Sequence, residues 1–204
     1  MKPLPRSFYT RVDVAQIARE LLGKYLFTRI DGRLCGGIIV ETEAYSGQND
    51  RACHSNGGRR TRRTEVMYQR GGLAYVYLSY GIHHLFNIVT NEENYADAVL
   101  IRGLEPREGI AWMLERRSLA EAEPRVSAGP GVLSQALGIG REHYGEDLCG
   151  STIWVEDRGL EVADDMIETG PRVGVAYAGE DAHRPWRFSV RGNAWVSRAR
   201  PRYD

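Results

Sequence analysis

The sequence predicts an α+β fold with a largely antiparallel sheet, and three observations carry that expectation. Asp31-Gly32 and Gly81 each sit between alternating apolar runs, the signature of tight hairpins. Short stretches of helical periodicity flank the hairpins. No fixed-period repeat, low-complexity run or composition shift divides the 204 residues. One domain over 1–204 is therefore expected, with 1–9 and 198–204 peripheral.

Residues 1–9 read as an irregular arm. From Val12 to Leu22, apolar residues at Val14, Ile17, Ala18, Leu21 and Leu22 mark the buried face of a helix, with Asp13 or Thr10 to cap it and Gly23 to end it. Tyr25–Ile30 and Leu34–Thr42 alternate as strands. Residues 46–64 carry little apolar content and form a long ordered loop of the kind that holds function. Leu73–Tyr80 and His84–Asn91 make a second hairpin with Tyr80 near its tip. Residues 98–104 predict a further strand and 106–117 a helix opened by Pro106. After a polar connector, Val132–Leu137 predicts a short helix. Ser151–Val155, Gly159–Val162 and Arg172–Ala176 are short strands, and 186–197 alternates as a strand again.

Composition is that of an ordinary globular domain, 42% hydrophobic and 26% charged. Neither a leader-like apolar run nor an 18-residue apolar stretch is present, so no membrane partner is expected. Cys35, Cys53 and Cys149 form no CxxC pair and suit a reducing, cytoplasmic setting. A net charge of zero counts against a nucleic-acid partner, but the placement of charge does not. Six arginines (184, 187, 191, 198, 200, 202) crowd the C-terminal run, Arg59, Arg60, Arg62 and Arg63 form a second block, and nine acids fall between 142 and 168. That pattern fits one basic and one acidic face; scattered solvated arginines are the alternative.

Glu41 and Glu43 lie two apart at a strand end and share a face if the strand is regular. Such a carboxylate can act as a base towards water. The pair also fits glycoside hydrolysis, a divalent-metal site, or plain solvated side chains. Tyr75 and Tyr77 share one strand face, with Tyr45 and His54 close behind the ETE segment; flat side chains of this kind can enclose an extruded base or simply pack. The five histidines show no HExxH spacing, and no metal or cofactor is expected. Gly129 and Gly131 could let backbone amides approach phosphate. GxSxG is absent and the lysines are only Lys2 and Lys24, which favours direct attack by water over Schiff-base chemistry.

The blocks ARELLGKYL, GGIIVETEAYSGQNDRACHS, RTRRTEVMY, YVYLSYG, VLIRGLEP, GPGVLSQAL and RFSVRGNAWVS closely resemble those of the alkyladenine (3-methyladenine) DNA glycosylases, of the type that includes the human enzyme, from about Leu4 to Ser197. The resemblance implies a curved antiparallel sheet with flanking helices and a protruding hairpin that enters the DNA minor groove. It implies a monofunctional enzyme, working as a monomer, that flips alkylated or deaminated purines from double-stranded DNA and hydrolyses the N-glycosidic bond in base excision repair. Glu43 then matches the base that activates water and Arg102 a residue positioning it. Tyr45, His54 and Tyr77 match the pocket lining, Asn87 the group that crowds the amino group of guanine, and Tyr80 the wedge in the duplex. Arg59, Arg60, Arg62, Arg63, Gly129, Gly131 and Arg191 are candidate DNA-backbone contacts, and a bacterial, nucleoid-associated location follows. Val132, Ile82 and Arg62 depart from the family pattern. The rival readings are a damaged-DNA binding module without catalysis, and a metal-dependent hydrolase using Glu41, Glu43 and Asp50.

Overall fold

A computed structural model describes residues 2–201. Arg202 and the outermost residues of both segments expected to be peripheral lie outside the described residues. The expected arm is in part structural: Arg6–Tyr9 forms a one-turn helix (α1) that buries Tyr9 completely, and the Leu4 amide donates to Val155 O at 2.7 Å. Helix α2 (Val14–Glu20) follows, capped by the Asp13 carboxylate accepting from the Gln16 amide.

Strands β1 (Tyr25–Ile30) and β2 (Arg33–Tyr45) form the first hairpin, and β3 (Ala74–Ser79) and β4 (His83–Thr90) the second. Strand β5 (Asp97–Glu108) runs straight through Pro106, so the helix expected to open there begins later, as α3 (Ile110–Arg117) after Gly109. Pro106 faces Gly37 next to a register shift, a place where a missing amide is tolerated. Helix α4 (Pro130–Leu137) has Pro130 in its first turn. Of the late strands, β6 (Ile153–Glu156) overlaps the expected 151–155, while β8 (Arg187–Val190) takes only the first part of the expected 186–197, the rest forming turns. Residues 159–162 and 172–176 form no strand, and β7 (Ile167–Gly170) lies between them instead.

The sheet order is β3-β4-β5-β2-β1-β6, with β8 added to β2 and β7 to β8. The expected curved sheet is thereby corrected: the sheet is open, neither closed nor strongly curled, and β3 and β6 remain separate edges. The cause is the 13-residue length of β2. One side of it pairs with β5 from Gly36 to Tyr45, while the other is shared by β1 at residues 33–38 and β8 at 41–43, so the sheet branches at its longest strand.

Period-two alternation sorts the two faces. Ala74, Val76, Phe86, Ile88, Val99 and Ile101 enter the main core, whereas Tyr75, Tyr77, Val89 and Ala98 belong to a second cluster with Met67 and Tyr68. The acidic and basic stretches meet at one edge of the sheet. Strand β7 from the acidic stretch pairs with β8 from the basic one, Glu41 buries Arg187, and Arg191 lies 3.4 Å from Glu168.

Candidate active site

Strand register brings the site together. Tyr75 faces Asn87, Asn87 faces Leu100, and Leu100 faces Glu43, a row across β3, β4, β5 and β2. Residues directly opposite in antiparallel strands share a face, and residues two apart do as well. Tyr45 and Tyr77 therefore join the same surface. Between β2 and β5 the register shifts three times, and at the shift between Glu41 and Thr42 Arg102 has no residue opposite it. The bulge aims its side chain at both glutamates. Gly103 is required beside it, because a Cβ there would lie 2.6 Å from Trp195 O.

Glu43 is fully buried and accepts three hydrogen bonds. Tyr45 Oη donates to Oε2 at 2.7 Å, Arg102 Nη1 to Oε2 at 3.3 Å, and the Val173 amide to Oε1 at 2.7 Å. A carboxylate has about four acceptor positions, so Oε1 retains a free lone pair. Glu41, also fully buried, accepts from Arg102 Nε at 3.0 Å, Arg187 Nε at 2.7 Å, and both Ser197 Oγ (2.9 Å) and the Ser197 amide (2.7 Å). Its four bonds all come from groups that hold the fold, two arginines and Ser197, and Glu41 does not line the adjoining cavity. Burial pulls the Arg102 guanidinium towards neutrality, but Glu43 and Glu41 outweigh it and hold the charge.

Above this layer lies a cavity of about 300 Å³, at the small end for ligand pockets. Tyr45, Arg102 and Val173, the three partners of Glu43, line its floor, while Glu43 sits one layer behind them. Tyr77, His54 and Asn87 form walls. His54 meets Tyr77 edge-on at 4.8 Å between centroids, and its Nδ1 lies 2.9 Å from Tyr75 Oη. Burial, with help from Arg63 and Arg59, lowers the His54 pKa to about 4, so the ring is neutral at pH 7. The Asn87 amide is fixed by donating to Tyr75 O at 3.0 Å.

Tyr80 stands at the cavity mouth, 93% exposed, on the β3–β4 turn. The Ile82 amide donates to Ser79 O, and φ is 50° at Tyr80 and 70° at Gly81, a type I′ geometry that glycine meets freely and tyrosine only under strain. Among the backbone candidates, Arg59 and Arg62 are exposed, Arg60 is paired with Glu65, and Arg63 turns inward onto the pocket. Gly129 caps α4 at φ 151°, and a Cβ on Gly131 would strike the His83 ring at 2.7 Å. These glycines seat α4 against β4.

Sequence reasoning missed the support of Val173. Arg172 is fully buried in a bidentate pair with Asp50 (2.5 and 2.8 Å), donates to Ala44 O, and stands 4.7 Å from the Tyr45 ring centroid. This pair ties the 46–72 loop to the segment after β7. No local pattern announces it, because the partners are 122 residues apart. It also separates the carboxylates of the metal reading: Asp50 is held by Arg172, and Glu41 and Glu43 by Arg102.

A buried carboxylate beneath an aromatic pocket, beside an exposed tyrosine on a hairpin tip, has the layout of the base-excising DNA glycosylases, and comparison with known proteins gives the same class. The family model described as methylpurine-DNA glycosylase (MPG) matches residues 7–194. A protein of Desulfitobacterium hafniense is 46% identical over 97% of this chain and 99% of its own length. Relatives from Bacillus licheniformis (44%, 97% of each chain) and Methanocella arvoryzae (45%, 98% of each) are equally complete. All three are provisionally named 3-methyladenine DNA glycosylases. The chain belongs to the methylpurine-DNA glycosylase family, and with it to the DNA glycosylases that act on alkylated purines in base excision repair. The match is to the bacterial-type family and not specifically to the human enzyme.

Proposed function

We propose that the protein is a monofunctional glycosylase that takes alkylated or deaminated purines (3-methyladenine, 7-methylguanine, hypoxanthine, ethenoadenine) out of duplex DNA and hydrolyses the N-glycosidic bond. The observation that carries this reading is the free lone pair on Glu43 Oε1, directly behind a pocket walled by Tyr45, Tyr77 and His54. A water on that oxygen gives its proton to Glu43 while its oxygen bonds C1′ of the flipped nucleotide. The C1′–N bond breaks and its electron pair leaves with the base. A cationic alkylated purine departs neutral and gains on aromatic faces beforehand.

Arg102 donates to Glu43 and fixes one of its oxygens. The Asn87 amide, held against β3, forms a rigid wall where the amino group of guanine would collide. Tyr80 occupies the gap left in the duplex, offsetting part of the unstacking cost of a few kcal/mol. The exposed Arg59 and Arg62 contact phosphate. The protein acts as a monomer in the bacterial cytoplasm, since one wedge and one pocket complete the task.

The test is incubation with methylated duplex DNA. Release of free 3-methyladenine, leaving strands that break only after alkali, is expected. Breakage without alkali would contradict the monofunctional reading, and no release at all would contradict the enzyme.

A further inference from the structure

Arg63 has no carboxylate partner among the described residues, although its neighbour Arg60 is paired with Glu65. Instead it turns into the pocket. Its guanidinium carbon lies 4.6 Å from the Tyr77 ring centroid, and Nη2 lies 3.3 Å from His54 Nε2 and 3.5 Å from Nδ1. Arginine only donates, so a ring nitrogen of His54 accepts from it, while Nδ1 also meets Tyr75 Oη at 2.9 Å. Burial, with Arg63 and Arg59, keeps the ring neutral, so one ring nitrogen is free to accept. A guanidinium stacked on an aromatic face and bonded to a ring nitrogen takes up the contacts a flat, polar-edged purine would use.

We infer that Arg63 is a displaceable occupant of the base pocket. In the free protein it holds the Tyr77 face and His54 Nε2, and an extruded purine must expel it. Once expelled, the guanidinium remains on the exposed loop beside Arg59 and Arg62, where a DNA phosphate is its natural partner. Pocket entry and backbone grip then become one exchange. A base that stacks well and bonds His54 replaces what Arg63 loses, and a base that seats poorly leaves Arg63 in place. Arg63 is in this sense a specificity-determining residue, an inference that rests on the glycosylase reading above.

The test is Arg63→Met, which keeps length and removes charge and donors at an exposed position. Free ethenoadenine base, which is fluorescent, is titrated into the native protein and the variant. The variant is expected to bind it about threefold more tightly, the scale of one exposed cation–π contact. Its affinity for undamaged duplex should fall, with a salt slope shallower by about one phosphate contact. In the same variant the His54 ring, followed by NMR, should titrate above its native value of about 4. Equal or weaker base binding, including none by either protein, overturns the inference, as does an unmoved His54 titration. Base release from methylated DNA by the native protein is measured alongside. Release with an unchanged base titration removes only the role of Arg63, whereas absence of release removes the glycosylase reading.

Discussion

Tyr45 donates its phenol proton to Glu43 Oε2 across 2.7 Å, from two residues further along the same strand. One side chain thus offers its ring to the pocket and its hydroxyl to the carboxylate. Tyr45→Phe keeps the ring and removes the donor; single-turnover base release should slow about tenfold, the worth of one hydrogen bond to a charged group, with affinity for lesion DNA unchanged. Tyr45→Leu removes both and should weaken binding as well. Equal losses in the two variants would separate the hydroxyl from Glu43 function.

The Asp50–Arg172 pair is the second support. Asp50→Ala leaves a buried guanidinium without its counter-charge, and urea unfolding should show a loss of about 3–5 kcal/mol. Because Arg172 precedes Val173, variants that still fold should lose base release more than their stability alone predicts.

Much of this arrangement is legible in the sequence, and the reasons for the remainder are physical. Alternation in YVYLSYG places Tyr75 and Tyr77 on one face, since a period of two survives any tertiary context that keeps the strand, whereas Asn87 joins them through the strand register that sets it opposite Tyr75. The reach of β5 through Pro106 is not legible, because proline at a helix start and proline at a strand irregularity look alike locally. The partners of Glu43 divide in the same way. Tyr45 is two residues away, whereas the Val173 amide is a backbone group 130 residues distant and carries no side-chain signature. The meeting of the basic and acidic runs is hidden for a related reason: it rests on the β7–β8 pairing, which linear charge blocks do not announce.

His54 titrates at about 4 in the folded protein against the usual 6.5. Between those values the unfolded chain binds the extra proton, so stability rises with pH across the window and is fully present above 6.5. It is lost as pH falls from 6.5 towards 4. His54→Gln should flatten that part of the stability–pH curve in denaturant titrations. An unchanged slope would mean that the ring is not held neutral.

Tyr80 is exposed and strained, so its removal should cost the fold little. Tyr80→Ala is expected to leave unfolding stability within about 0.5 kcal/mol. Base release should slow by about 10- to 100-fold, the equivalent of part of the unstacking cost it offsets. A loss confined to stability would assign Tyr80 to the turn alone.

Activation of the water by Glu43 is tested most directly by base release. Base release is followed under single-turnover conditions, with excess EDTA, from a duplex carrying one hypoxanthine opposite thymine and from methylated DNA, with native protein and with Glu43→Gln. Release by the native protein is expected, with a rate lower by about 10²–10⁴ in the variant, which still binds the lesion duplex. Equal rates in the two proteins, or tight lesion binding without release by the native protein, would contradict it.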